Sequence, residues 1–361
     1  MTRIKSEYSS GQVDRSGKVL ITPGVGPDQM TEALAVMNGF RSAHGYPLEV
    51  ALKTLRKGAT KINPKVIIAE RLKRLPSITA KLRREPNMKL SQMQDIGGCR
   101  AVFRDINEVN QLLTTYPQSD LFKDFKRTDY IQRPKRSGYR GIHLVWRYRS
   151  QGPSSKEYDG MRVEVQIRSA LQHAWATAVE IASTYTNSDL KSDTGDPKWI
   201  RFFSLMGGAI AIREGCPPVP DTPSNKSELN RELRKLSDEL KVQESMRNWS
   251  QLTNIRGATA TETSVDARVF LVALRLSDYR WQLRVTPFSE SDSALASEEY
   301  LKAEKENAEK RGVQVVLVSV ESIDMLRQAY PNYYMDTTEF LKALQTALHA
   351  LPSTPVSFGH R

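Results

Sequence analysis

Two spacings of apolar residues alternate along the chain, a period of 2 and one near 3.6, and their order sketches a mixed fold. The strictest period-2 stretch is 162–168. There Val163, Val165 and Ile167 share one face, and Glu164, Gln166 and Arg168 share the other. The same alternation over 142–148 predicts a second strand. Short apolar runs predict others at 66–69, 99–103 and 313–320, with a further strand at 125–131 and a strand pair at 268–276 and 280–287. Helical spacing is clearest for Ala33, Leu34, Met37 and Phe40, predicting a helix over 28–43 capped by Asp28. Pro47 opens a second helix at 47–60. Further helices are expected at 108–116, 169–184, 199–212, 294–311, 322–330 and 337–351. One long charged helix is expected over 228–253, with Leu229, Leu233, Leu236, Leu240 and Met246 on one stripe. Residues 1–27 are polar and rich in Gly and Pro, and read as a loose lead-in with at most a short strand at 18–22.

These elements make a mixed α/β chain. The run CPPVPDTP at 216–223 is the best boundary. The expected organisation is a larger first domain over 1–216, a Pro-rich linker and long helix over 217–260, and a smaller C-terminal α/β domain over 261–361. With 361 residues there is room for two domains.

Charge changes the picture more than composition does. The net charge is +12. Residues 226–361 carry 18 basic and 19 acidic side chains, and residues 1–225 carry 35 and 22, so the excess lies wholly on the first part. A polyanionic partner larger than a nucleotide, such as RNA, accounts for such a surplus. No run approaches the roughly 18 apolar residues needed to span a bilayer, and MTRIKSEYSS lacks a signal-peptide core. Two cysteines, Cys99 and Cys216, with no secretion signal suggest free thiols in a cytoplasmic setting.

The chemistry concentrates in DYIQRPKRSGYRGIH at 129–143. Arg133, Lys135, Arg136 and Arg140 set four cations close together, suited to a polyphosphate or a nucleic-acid backbone. Pro134 and Ser137-Gly138 make a loop, and the adjoining Tyr139 can be left free to stack on a base. A solvated basic loop with one tyrosine turned inward is the alternative. Earlier, Arg71 and Lys73 point to one side of an extended segment, and Pro76 then opens a helix. Ser77 and Lys81 lie one turn apart on that helix, where its N-terminus favours phosphate. A basic helix with its cations in solvent would read the same way. The polar face of Glu164, Gln166 and Arg168 needs partners, because burying it without them costs several kcal/mol.

Five blocks in this order resemble the RelA/SpoT synthetase family, which transfers pyrophosphate from ATP to a 3′ hydroxyl. They are Arg71 to Lys73 with Ser77 and Lys81, DIGGCR at 95–100, the loop at 129–143, EVQIR at 164–168 and LQHAWATAVE at 171–180. The resemblance implies a nucleotidyltransferase-like mixed sheet flanked by helices. It implies that Arg71 and Arg100 flank adenine and that Lys73, Ser77 and Lys81 hold the ATP phosphates. Asp95 and Glu164 hold Mg²⁺, Glu164 also serving as a candidate base, and Tyr139 stacks the acceptor base. Lys135, His143, Gln166 and Arg168 complete the acceptor site. Of the five histidines at 44, 143, 173, 349 and 360, none adjoins an aspartate, so the hydrolase of bifunctional members is not expected. His173 reads as structural.

The added C-terminal part resembles the CapRel-type fused toxin–antitoxins. There the enzyme pyrophosphorylates the tRNA CCA end and stops translation, and the C-terminal part holds it off until a phage capsid protein is sensed. That resemblance implies tRNA contacts by Lys123, Lys126, Arg127, Arg133, Arg136 and Arg140. The alternative acceptor is GTP or GDP, as in an alarmone synthetase of the stringent response. AYPNYYMD at 329–336 reads equally as an exposed contact surface and as core packing. With no cysteine in the C-terminal domain, a zinc site is not expected there.

Overall fold

The computed structural model describes residues 7–115, 126–186, 190, 195–251, 253–257, 267–277, 280–307, 310 and 312–349. Three helices come first, α1 (Ser10–Val19), α2 (Pro27–Ala43) and α3 (Gly45–Ile62). Then follow β1 (Ile67–Leu72), α4 (Leu75–Arg84), β2 (Gly97–Phe103), α5 (Ile106–Thr115), β3 (Lys126–Asp129), β4 (Ile142–Arg147), β5 (Arg162–Ser169), α6 (Ala170–Thr186) and α7 (Pro197–Arg213). Two helices lead into the rest, α8 (Lys226–Glu239) and α9 (Val242–Gln251). The last part is β6 (Thr253–Gly257), β7 (Ala267–Ser277), β8 (Arg280–Ser289), α10 (Ser293–Glu306), β9 (Val313–Ser319), α11 (Ile323–Ala329) and α12 (Thr338–His349).

The strands form one mixed sheet in the order β3-β4-β5-β2-β1-β9-β7-β8-β6. β2 and β5 run parallel; β1 is antiparallel to β2, and β4 to β5. The sheet continues from the first part of the chain into the last, because β9 pairs with β1 through Glu70–Ser319 and Arg71–Val318. One face of β1, β2, β4 and β5 is apolar and packs under α3 and α5, with Ile68, Ala101, Val163, Val165 and Ile167 in that core. The other face carries the polar residues of the site. α6 and α7 pack together with α8, α9 and α12, where Phe340 of α12 meets Phe202 and Phe203. The C-terminal part therefore grips the rest through a strand, α11 and α12.

Three sequence expectations need correction. Residues 10–19 form a helix rather than a loose lead-in. Ser9 and Gln12 make a reciprocal capping box, which satisfies the free amides at the helix start. The helix expected over 228–253 is broken. Lys241 adopts φ +47°, a left-handed conformation that ends α8 and restarts the chain as α9. The break lets Leu229, Leu233, Val242 and Met246 all reach one cluster. In addition, α2 is entered from Gly26 with Pro27 in its first turn, and Asp28 lies inside that turn instead of capping it.

Candidate active site

Sheet register decides which side chains share the polar face. Gln166 lies opposite both Arg100 and His143, and Arg100 also lies opposite Ala69. Gly98 lies opposite Glu164 on one side and Arg71 on the other. Paired residues point to the same side of a sheet. Arg71, Arg100, His143, Glu164 and Gln166 are thus brought together, as their sequence blocks suggested.

One charged cluster sits at the end of this face. The Lys73 amide bonds to the Ile96 carbonyl and locks the segment after β1 to the one before β2. That brings the Lys73 Nζ to 2.6 Å and the Lys81 Nζ to 3.1 Å from the two oxygens of Asp95. Burial works against a charge on Asp95, but the two lysines outweigh it and hold the carboxyl below its ordinary value. Ser77 lies between them in the first turn of α4.

A second cluster is a chain of hydrogen bonds. His143 Nδ1 lies 2.8 Å from Glu164 Oε1. A carboxylate only accepts, so Nδ1 carries the proton and Nε2 accepts from the Tyr139 hydroxyl at 2.5 Å. Arg168 donates to that same hydroxyl oxygen at 2.9 Å and to Gln166 Oε1 at 2.6 Å. The Gln166 amide closes the chain on Glu164 Oε2 at 2.6 Å. Burial opposes the Glu164 charge and Asp95 repels it. The His143 and Gln166 hydrogen bonds still hold the carboxyl below its usual range. Two ionised carboxylates near enough to repel, with hard oxygen atoms, fit Mg²⁺, which takes few protein ligands. Among the described residues no group of three or more acidic, His or Cys side chains is arranged for a metal.

Tyr139 is less free than its sequence suggested. Tyr130, His143 and Trp175 meet it edge-on, and the Lys135 and Arg168 cations lie 5.4 and 5.2 Å from its ring centre. Gly138 fixes this loop. It has φ +97°, and a Cβ there would stand 2.6 Å from the Phe203 carbonyl, so only glycine lets the loop press on α7. Tyr130, which sequence reasoning missed, shares the Lys135 cation at 4.6 Å; its place one residue after Asp129 in the same basic loop was the available signal.

The expected RNA-facing cations divide. Lys126 and Arg133 are exposed. Arg127 is exposed and pairs with Asp129, and Arg136 is exposed and pairs with Asp221. Arg140 is 2% exposed and pairs with Glu214, which also accepts from Ser169 and Gln172, so Arg140 is not presented to a large partner. Lys123 lies outside the described residues. His173 packs as expected of a structural residue. Burial, with Arg100 and Arg168 adding to it, pushes its pKa well down, and its Nε2 faces the Gln328 carbonyl at 3.2 Å.

Arg71 and Arg100 face the C-terminal part. Arg100 donates to the Ala329 carbonyl at 2.8 Å, where α11 ends, and its guanidinium lies 5.0 Å from the Tyr330 ring centre. Tyr330 donates to the Glu70 carbonyl at 3.2 Å. Tyr330 and Tyr333 are buried and lie within electrostatic reach of Arg71, while Tyr334 is half-buried beside Arg327. Of the two readings of 329–336, the structure takes packing for Tyr330 and Tyr333.

Residues 70–189 match the family described as "Region found in RelA / SpoT proteins". GTP pyrophosphokinase YjbM of Bacillus subtilis is 34% identical over 131 residues, 35% of this chain and 60% of the relative. GTP pyrophosphokinase YwaC of the same organism is 29% identical over 140 residues, 37% of this chain and 65% of the relative. The chain thus spans less than two thirds of the length of either relative. The solved small alarmone synthetase 1 of B. subtilis, bound to its product pppGpp, is 25% identical, covers 47% of this chain and 90% of its own, and superposes with a TM-score of 0.39. Among the described residues no helix is long and apolar enough to cross a membrane.

Proposed function

We propose that the chain is a pyrophosphokinase that moves the β,γ-diphosphate of ATP onto a 3′ hydroxyl. The observation that carries the reading is the meeting, on one sheet face, of the Lys73–Asp95–Lys81 cluster with the Tyr139–His143–Glu164 chain. Transfer of this kind needs positioning and charge neutralisation more than covalent chemistry. Lys73, Ser77 and Lys81 bind the phosphates, and Arg71 and Arg100 flank adenine. Tyr139 takes the acceptor base, and Glu164 receives the proton of the attacking hydroxyl, with His143 holding the carboxylate in line. Asp95 and Glu164 would hold Mg²⁺, which supplies charge neutralisation on the phosphate oxygens. The new bond joins the 3′ oxygen to Pβ, the Pβ–O bond to the α-phosphate breaks, and AMP leaves.

The acceptor in this reading is the CCA end of tRNA. The support is the surplus of positive charge on residues 1–225 and exposed cations at Lys126 and Arg133 beside the site. The names of YjbM and YwaC favour a second reading, with GTP or GDP as acceptor.

The C-terminal part acts as an inhibitor in cis. Tyr330 and the end of α11 occupy Arg100, one of the two residues needed for adenine. A partner that binds the open form releases the site; the resemblance to CapRel-type proteins names a phage capsid protein. The test is full-length protein, wild type and Tyr330→Ala, with ATP labelled in the β-phosphate and either deacylated tRNA or GTP. Label on the tRNA 3′ end supports the first acceptor, and label on GTP alone supports the second. Label on neither, in both proteins, ends the pyrophosphokinase reading. Deleting residues 226–361 is a poorer test, because it strips α8, α9 and α12 from α6 and α7.

A further inference from the structure

Glu304 belongs to α10, yet among the described residues every partner of its carboxylate but one lies in the first part of the chain. Arg41 of α2 donates to its two oxygens at 3.2 and 2.7 Å. The Leu75 amide, at the first residue of α4, donates to Oε1 at 2.9 Å. The remaining partner is Tyr300, one turn back on α10, whose hydroxyl donates to Oε1 at 2.8 Å and whose ring centre lies 5.0 Å from the Arg41 guanidinium. Arg41 also donates to the Lys73 carbonyl at 3.3 Å and to Asn38 at 2.9 Å. The Arg41 and Glu304 side chains are 1% and 9% exposed. Beside them Arg74 donates to Gln314 of β9 at 3.0 Å.

This network touches the backbone at 73 and 75, and that backbone carries Lys73, Ser77 and Lys81. A buried ion pair adds little net stability, but a buried charge that loses its partner is strongly unfavourable. The pair therefore acts on register: the contacts that seat α10 also engage the Lys73 carbonyl through Arg41 and the Leu75 amide through Glu304. Neither Arg41 nor Glu304 falls within residues 70–189.

We propose that Arg41 and Glu304 form a latch on the phosphate side of the site, separate from Tyr330 on its base side, so that the C-terminal part closes the site at two points. The inference rests on the reading of Arg71 to Arg100 as the ATP side. The test uses full-length Glu304→Gln, which keeps shape and removes the charge, with Tyr300→Phe as a milder second variant. Amide hydrogen exchange is followed over α10, over 73–78 and over α3 and α5, and binding of a non-hydrolysable ATP analogue is titrated.

Expected are faster exchange at α10 and 73–78 alone, and analogue binding tighter by about tenfold or more in Glu304→Gln, with the same direction and a smaller change in Tyr300→Phe. Unchanged exchange in both variants overturns the latch. An equal rise in α3 and α5 assigns Glu304 to general stability and overturns it too. Local loosening with no analogue binding in any variant, Tyr330→Ala included, supports the latch and overturns the ATP reading.

Discussion

Replacing Tyr330 with Ala should open the adenine side, and the size of the effect follows from its contacts. The side chain is 3% exposed, its ring faces the Arg100 guanidinium at 5.0 Å, and its hydroxyl donates to the Glu70 carbonyl at 3.2 Å. Truncating a buried aromatic ring costs about 3–5 kcal/mol. Arg100 recovers part of this by regaining water, so about 3 kcal/mol is a reasonable loss for the closed form. At 1.4 kcal/mol per decade, that shifts the closed-to-open ratio about 100-fold. Apparent affinity for a non-hydrolysable ATP analogue should rise by up to the same factor, levelling off once the open form is the majority. Tyr330→Phe loses one hydrogen bond, worth about 1 kcal/mol, and should give roughly fivefold. The assay is calorimetric titration, with cooperative thermal unfolding to show that each variant is folded. A folded Tyr330→Ala protein with wild-type affinity would refute the plug.

The other predictions concern charge. Asp95→Asn and Glu164→Gln should each lower Mg²⁺-dependent transfer by about 100-fold or more while the protein still folds, read from initial rates and circular dichroism; full activity in either removes that residue from the site. Burial, with Glu49 adding to it, pushes the Glu70 carboxyl from its ordinary 4.5 up to about 7. A raised pKa in the folded form stabilises fully below about 4.5 and is lost as pH rises through about 7. Stability should therefore fall across that window by up to about 3 kcal/mol, read as a falling melting temperature, and Glu70→Gln should flatten the slope. Arg133→Ala and Arg136→Ala should each reduce the salt slope of tRNA binding by about 0.7–0.9. Arg140→Ala should instead lower the melting temperature, because it leaves the buried Glu214 unpaired at a cost of about 3–5 kcal/mol.

The contrast between Arg140 and its neighbours marks how far the sequence can be read. Four cations in one loop look alike as residues, and only the distant Glu214 makes one of them internal. The strands that carry the site were legible because their alternation is strict: Val163, Val165 and Ile167 pack inward, while Glu164 and Gln166 meet the site. The β1–β9 pairing was not legible, since an edge contact between residues about 250 apart leaves no local pattern. The same distance hides Arg41 from Glu304. α1 had its signal in Ser9 and Gln12, but Gly11 and Gly17 weighed against a helix. The break at Lys241 had none, because a lysine rarely marks a left-handed turn. Two buried tyrosines were equally hard to read, since aromatic residues in a Pro-Asn turn suit a surface as well as a core.

On the proposed reading, the closed arrangement explains how a site can be complete and idle at once. Lys73, Lys81 and Arg100, the groups proposed for ATP, already have partners from the chain itself. Asp95 holds Lys73 and Lys81, Arg100 holds the end of α11, and Glu304 holds Arg41. Binding of ATP is then an exchange of partners and not a simple addition. Phosphate oxygens would take the lysines from Asp95, leaving that carboxylate to Mg²⁺, and adenine would take the place of the Tyr330 ring beside Arg100. An exchange carried through on both sides leaves every buried charge paired. One carried through on a single side leaves some unpaired, at a cost of several kcal/mol. A ligand with only the base, or only the phosphates, would pay that cost without the compensating contacts, so the closed chain would discriminate for the whole nucleotide. The same arithmetic favours a protein partner as the release signal: by withdrawing α10 and α11 together, it vacates both sides in one step.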